Sequence, residues 1–196
     1  MSPAPSRVRS FWPRWSSLTR RAPQHRAGHS LYEAIVAQAR SEVFYRQHGV
    51  PDTVHGRFEM VVLHVALVLA RLELEGAGGQ ERGRAILESF VADMDDACRR
   101  LGIGDMGVPR QVKKATAAVL ERGNAYRAAI GGRDEDDALV GVLAAEVWRA
   151  APRDVPGAGA LAAYVRRAVA ELEAQDGARL LAGTVSFPAA PAQQGS

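Results

Sequence analysis

Apolar residues recur at three- to four-residue spacing through most of the middle of this chain, and that spacing predicts helices rather than strands. The most apolar stretch, about 55–75, is hydrophobic on nearly all sides through residues such as Val61 and Leu67, which predicts a buried central helix. The next, about 80–101, carries Phe90 on an apolar stripe opposite a charged face. Four further helices are predicted at about 31–47, 109–130, 135–150 and 160–175. The expected fold is therefore all-α, a single compact bundle of about six helices.

Local signals place the ends of these helices. Ser30 followed by Glu33 has the spacing of a capping box and predicts that the first helix begins just after Ser30. Pro51 cannot continue a helix and holds the preceding residue extended, so a turn is expected there. Pro109 suits the first position of the fourth helix, and the glycines before it predict a loop.

The two ends of the chain differ from its body. Residues 1–29 contain arginine, proline and serine but no acidic residue, and predict a flexible Arg-rich arm. Phe11, Trp12 and Trp15 interleave with arginine there, which suits an anionic lipid surface, ribosomal RNA, an organellar targeting segment or a plain solubilising tail. Residues 183–196 are small, polar and interrupted by proline, and predict a disordered tail. The helical domain is expected to span 30–182.

Composition narrows the class of protein. With 196 residues and 47% hydrophobic content, the chain has room for one ordinary domain. The single cysteine, Cys98, cannot form an internal disulfide, which favours a reducing compartment. No run approaches the roughly 20 apolar residues that a membrane span requires, so we expect the protein not to cross a membrane by itself.

Acidic residues form the first candidate for chemistry. Asp93, Asp95 and Asp96 lie on one predicted helix and Asp105 in the following loop; Asp93 and Asp96, three positions apart, share a face. The cluster lacks the alternation of a calcium loop and the paired carboxylate motifs of a helical magnesium enzyme. A solvated or partner-facing acidic surface is therefore favoured, and a small helical metal-dependent enzyme remains the alternative.

The histidines do not form a metal-binding pattern. His48, His55 and His64 are not paired at four-residue helical spacing. His64 falls on an apolar helix, which predicts a hydrogen-bonded core residue. No phosphate-binding loop or nucleophile motif is present either, so we expect no enzyme activity, no catalytic or metal site and no cofactor.

Three segments carry a resemblance to a known family: LYEAIVAQAR at 31–40, FYRQHGVPDTVHGRFEMVVLHVALVLARL at 44–72, and FVADMDDACRRLGIGDMGVPRQVKK at 90–114. In this order they resemble the ubiquinol-cytochrome c chaperone family, over roughly residues 31–130. The resemblance implies an all-helical chaperone that binds newly made cytochrome b and assists its maturation and insertion into the cytochrome bc1 complex (respiratory complex III). No DNA partner is expected.

The resemblance also carries expectations about location. Ribosome proximity is known for mitochondrial relatives, which makes a ribosome contact an expectation here too. The arginine-rich composition suggests a bacterial member in the cytoplasm, peripheral at the inner membrane and in contact with anionic lipid; in a eukaryote the matrix side of the mitochondrial inner membrane would correspond. Pro109, Arg110 and Gln111 depart from the more basic stretch expected before Lys113.

The predicted partner-binding surface combines a turn, the start of a helix, an acidic face and two lysines. Its members are Gly49, Val50, Pro51, Asp52, Thr53, Arg57, Glu59, Asp93, Asp95, Asp96, Gly104, Asp105, Lys113 and Lys114. Met106 is a candidate for its apolar part, whereas Met60 and Met94 are expected to fill the core. The alternative to a chaperone is a ribosome- or RNA-associated protein that binds through residues 1–29.

Overall fold

The computed structural model describes residues 22–131, 135–151 and 155–189, and within these ranges the chain forms helices and no strands. The elements are α1 (Ala22–Ala39), α2 (Glu42–Arg46), α3 (Val54–Glu73), α4 (Gly76–Arg100), α5 (Val108–Ile130), α6 (Glu135–Leu143), a π-helical turn (Ala144–Trp148), α7 (Gly157–Ala174) and α8 (Gly177–Leu181). The predicted all-α fold is confirmed.

Helix α3 forms the centre of the bundle, as predicted. Every residue from Met60 to Val68 is buried. Only Leu74 and Glu75 separate α3 from α4, so the two helices are antiparallel, and the short loop 101–107 makes α5 antiparallel to α4 in turn. The start of α3, the end of α4 and the start of α5 therefore lie at one end of the bundle, which we call the α4–α5 end.

The start of the first helix differs from the prediction. Helix α1 begins at Ala22, so Ser30 and Glu33 are exposed positions within a helix and the predicted capping box is wrong. The helix extends further because Gly28 packs against Ala85 of α4, where a side chain would not fit. Residues 22–29, assigned to the arm, thus belong to the bundle, whereas residues 1–21 lie outside the described ranges.

The C-terminal third also departs from regular helices. The segment predicted as one helix at 135–150 changes to a π-helical turn at Ala144 and ends at Arg149, whose φ is 56°. Helix α8 was not predicted; the Asp176 side chain accepts a hydrogen bond from the Ala178 N–H at its start. Residues 183–189, predicted as disordered, pack against the helices, and residues 190–196 lie outside the described ranges.

A buried polar network crosses the core and confirms the prediction for His64. The ring is fully buried, its Nδ1 lies 2.7 Å from the Met60 carbonyl and its Nε2 lies 2.7 Å from the Tyr164 hydroxyl. The same hydroxyl accepts a bond from Gln38 Nε2 at 2.9 Å. Because Met60 offers only an acceptor, Nδ1 carries the proton and Nε2 accepts from Tyr164. Burial lowers the pKa of His64 to about 4, so the ring is neutral near pH 7.

Within residues 22–131, 135–151 and 155–189, no helix combines the length and the apolar character needed to cross a bilayer.

Candidate partner-binding site

The predicted turn leads directly into α3 at the α4–α5 end. The Thr53 side chain accepts a hydrogen bond from the Gly56 N–H at 3.1 Å and so caps the helix. Arg57 donates to the Asp52 carboxylate at 2.5 Å, which lowers the pKa of Asp52, and its guanidinium lies 5.7 Å from the centre of the Tyr45 ring. The exposed part of the turn therefore presents an internal ion pair rather than separate charges.

Gly56 is the closest contact between the turn and α3. A Cβ at this position would overlap the Pro51 carbonyl oxygen, whereas Gly104 has open space around it. We expect Gly56→Ala to destabilise the protein by about 1–3 kcal/mol, because the overlap outweighs the gain in helix propensity. Gly104→Ala should leave stability within about 0.5 kcal/mol. Urea unfolding of both variants would check this, and equal midpoints would contradict it.

Asp93, Asp95 and Asp105 are bonded to neighbouring side chains. Asp93 accepts a hydrogen bond from the Tyr32 hydroxyl at 2.9 Å and lies 3.8 Å from Arg100. Arg99 bonds both Asp95 and Asp105 at 2.7 Å and so joins the end of α4 to the loop. Asp96 is exposed. In the part of the chain that the structure describes, no three His, Cys, Asp or Glu side chains come together as a metal site.

Cations and apolar side chains are exposed beside these acids. Arg110, Lys113 and Lys114 lie on the first turns of α5 and have no carboxylate partner among the described residues. Three of the five large apolar side chains that are strongly exposed in these ranges belong to this end: Val54, Leu101 and Met106, the last 97% exposed. A surface with apolar side chains between charged groups is typical of a protein-binding site.

Two of the predicted surface residues lie inside the protein instead. Val50 is buried in the core, and Glu59 is only 1% exposed. Glu59 accepts a bond from Arg122 Nε of α5 at 2.6 Å, and Arg122 also contacts the Glu146 carboxylate of the π-helical turn at 2.8 Å. Burial raises the pKa of Glu59, and the ion pair with Arg122 opposes that effect. Glu59 therefore supports the surface from within and cannot contact a partner directly.

The sequence did not predict that the π-helical turn holds the surface in place. Trp148 Nε1 donates to the Gly49 carbonyl at 2.7 Å, and His55 Nε2 donates to the Glu146 carbonyl at 2.9 Å. His55 Nδ1 then accepts a bond from Arg149 at 3.1 Å, and burial lowers the pKa of His55. A π-helical turn followed by a residue with left-handed backbone angles is an uncommon and strained conformation. Such a conformation persists where surrounding contacts hold it in place.

These contacts connect residues 91 and 99 positions apart, so no local pattern indicates them. The only available signal was the aromatic Trp148 near the end of an otherwise alanine-rich helix. At the α4–α5 end the structure brings together the turn, Arg57, the three aspartates, the loop residues Gly104 and Asp105, and the two lysines.

Comparison with known proteins places this arrangement in a family. The model of the family described as ubiquinol-cytochrome C chaperone matches residues 46–187, which include α3, α4, α5 and the π-helical turn. A solved structure, the crystal structure of the Cbp3 homolog from Brucella abortus, is similar with a TM-score of 0.76 and 34% identity. The match covers 86% of this chain and 92% of that one.

Curated relatives agree with the family match. The ubiquinol-cytochrome-c reductase complex assembly factor 1 of Xenopus laevis is 29% identical over 77% of this chain and 74% of its own length. The Homo sapiens protein of the same name is 30% identical over 80% of this chain. The chain spans about half the length of the human and mouse relatives. From the family match and the shared helical structure, the chain belongs to the ubiquinol-cytochrome c chaperone family.

Proposed function

We propose that this protein is an assembly chaperone for ubiquinol-cytochrome c reductase, the cytochrome bc1 complex, and that its client is newly made cytochrome b. The observation that carries the proposal is the family match over residues 46–187. It is supported by relatives whose names state a role in assembly of that complex. In this role the protein would bind cytochrome b during its maturation and hand it on for insertion.

We assign client binding to the exposed residues of the α4–α5 end. Met106, Leu101 and Val54 supply apolar contact area for the hydrophobic helices of a membrane-protein client. Lys113 and Lys114 have no carboxylate partner among the described residues and are free to steer the approach of an acidic segment. Of the three aspartates of α4, Asp96 is the exposed one, whereas Asp93 is bonded by Tyr32 of α1 and Asp95 pairs with Arg99 within α4.

Location follows from the client in this proposal. Because the proposed client is a newly made membrane protein, the chaperone would act at the cytoplasmic face of a bacterial inner membrane, or at the matrix face in a mitochondrion. Contact with the ribosome or with anionic lipid is assigned to the arginines of the N-terminal arm, most of which lie outside the described residues.

Recovery of cytochrome b with the tagged full-length chain from native membranes tests the proposal. The double variant Leu101→Ser, Met106→Ser should recover at least about tenfold less cytochrome b, since each apolar side chain buried in a complex contributes about 1–3 kcal/mol. Lys113→Glu combined with Lys114→Glu should lower the association rate and its dependence on salt. Circular dichroism would verify that all variants remain helical.

Leu74→Ser is the matched control, because Leu74 is 73% exposed and lies between α3 and α4 at the opposite end of the bundle. It should recover as much cytochrome b as the unmodified chain. Equal recovery with all variants would reject the α4–α5 end as the binding surface while leaving the client in place. Absence of cytochrome b even with the unmodified chain would reject the client.

A further inference from the structure

The segment 184–189, which we call the strap, lies extended along α1. Its base, Gly183, is so close to Ala27 that a Cβ there would lie 2.8 Å from the Ala27 Cα. Near its other end, the Pro188 carbonyl accepts a hydrogen bond from Gln38 Nε2 at 3.2 Å. The helical rise from Ala27 to Gln38 is about 16 Å, and an extended chain from Gly183 to Pro188 also spans about 16 Å. The strap is therefore stretched beside the helix.

The strap is held by its backbone at three points: Thr184 N–H donates to the Arg179 carbonyl at 3.0 Å, Gln38 bonds the Pro188 carbonyl, and Gln175 bonds Ser186 between them. The side-chain amide of Gln175, the residue that follows α7, makes both bonds at the central point. Its Oε1 accepts from the Ser186 N–H at 2.8 Å, and its Nε2 donates to the Ser186 carbonyl at 2.9 Å. This pair copies the bonding of a neighbouring β-strand. The Ser186 side chain itself is exposed. Any residue with a free N–H would satisfy Gln175 equally well.

Side chains of the strap alternate as they do in a peptide bound in a groove. Val185 and Phe187 are half-buried and pack against the core, whereas Thr184 and Ser186 point outward. The Phe187 ring stands edge-on to the buried His64 ring, with the two centres 5.4 Å apart. The groove between α1, α3 and α7 thus bonds the backbone at Ser186 and Pro188 and accepts an aliphatic and an aromatic side chain on either side of Ser186.

We propose that this groove is a peptide-binding site which the chain's own strap occupies, and that it takes an extended protein segment with an aliphatic residue two positions before an aromatic one. Backbone bonding supplies affinity and the Phe187 pocket supplies selectivity, as in other sites that bind an extended strand. The strap is tethered through α8 and competes at an effective concentration on the order of millimolar. Only a segment that binds strongly enough, or that is itself held nearby, displaces it.

The site uses none of the residues assigned to the α4–α5 end, and it does not depend on the identity of the client. Its occupant is defined by main-chain geometry, an aliphatic side chain and an aromatic side chain. Displacement of the strap by a partner would expose residues 184–189. Partner binding in the groove would therefore change the conformation of the chain's C-terminal end.

A fluorescent peptide with the strap's sequence, TVSFPA, tests the proposal on the full-length protein. In the Phe187→Ala variant the strap loses its main apolar contact, so the peptide should bind at least about tenfold more tightly than to the unmodified chain. A peptide with alanine in place of phenylalanine should bind neither protein. The peptide AVAFPA should bind as well as the first, because its changes fall on the outward positions.

Gly183→Ala provides a second way to release the strap. Gly183 has a φ of +97° and no room for a Cβ, so alanine should dislodge the base of the strap while leaving Phe187 and the groove unaltered. This variant should also gain affinity for TVSFPA, and a further Gln175→Ala change should abolish the gain in both variants.

Three results would overturn the proposal. One is that the variants stay helical and unfold cooperatively but bind the peptide no better than the unmodified chain. Another is binding that ignores the loss of phenylalanine from the peptide or of Gln175 from the groove. The third is that both Phe187→Ala and Gly183→Ala fail to fold, which would make the strap an integral part of the core.

Discussion

Replacing Arg122 with alanine is expected to lower the free energy of unfolding by about 3–5 kcal/mol, because it leaves the buried Glu59 carboxylate without its partner. Glu59 is 1% exposed, and Arg122 is its hydrogen-bonded cation at 2.6 Å. The loss should be smaller below the raised pKa of Glu59, where the carboxyl is neutral, and urea unfolding at two pH values would measure both effects.

Arg127→Ala is the matched control on the same helix. Arg127 bonds Glu73 at 2.8 Å, but both side chains are more than half exposed, so their pair should contribute only about 0–1 kcal/mol. Replacing Glu59 with glutamine in the Arg122→Ala background should recover part of the loss, because an uncharged amide is less costly to bury. Equal effects of Arg122→Ala and Arg127→Ala would contradict the assignment of a buried ion pair.

The burial of Glu59 could not be predicted from the sequence. Its position beside Arg57 at the start of an apolar helix suggested a surface charge, and the sequence contains no local sign that Arg122, far along the chain, would enclose it. The same limit applies to Trp148 and Gly49. Such contacts are set by how the helices cross, which periodicity does not determine.

Other parts of the fold could be predicted because their signals are local. Helix α5 was predicted within a residue at each end, since Pro109 and Gly131 mark its limits and its apolar stripe is regular. The beginning of α1 could not be predicted, because Ser30 and Glu33 have the spacing of a cap but lie within a helix that begins at Ala22 and packs against α4 at Gly28. The ordered strap could not be predicted from the sequence, because small polar residues and proline are typical of disordered tails. Its fixed conformation depends on contacts with Gln38, His64 and Gln175.

The prediction for His64 was correct because it rested on burial alone, and it has a consequence for stability. In the folded protein the pKa of His64 is about 4, whereas in the unfolded chain it is about 6.5. The unfolded state therefore binds the proton more readily. The contribution of His64 to stability is complete above pH 6.5 and is lost as the pH falls from 6.5 towards 4, by about 3 kcal/mol in total.

We expect His64→Gln to flatten this part of the stability profile. Glutamine does not titrate. From pH 7 to pH 4 the free energy of unfolding of the wild type should therefore fall by about 3 kcal/mol relative to that of the variant, as measured by urea unfolding at several pH values. The lowered pKa of His55 also makes the protein less stable as the pH falls, and the raised pKa of Glu59 has the opposite effect. Both groups are present in wild type and variant, so their effects cancel and the comparison isolates His64. A difference that stays constant with pH would mean that the His64 ring becomes protonated inside the fold, which the bonds to the Met60 carbonyl and the Tyr164 hydroxyl and the surrounding apolar core oppose.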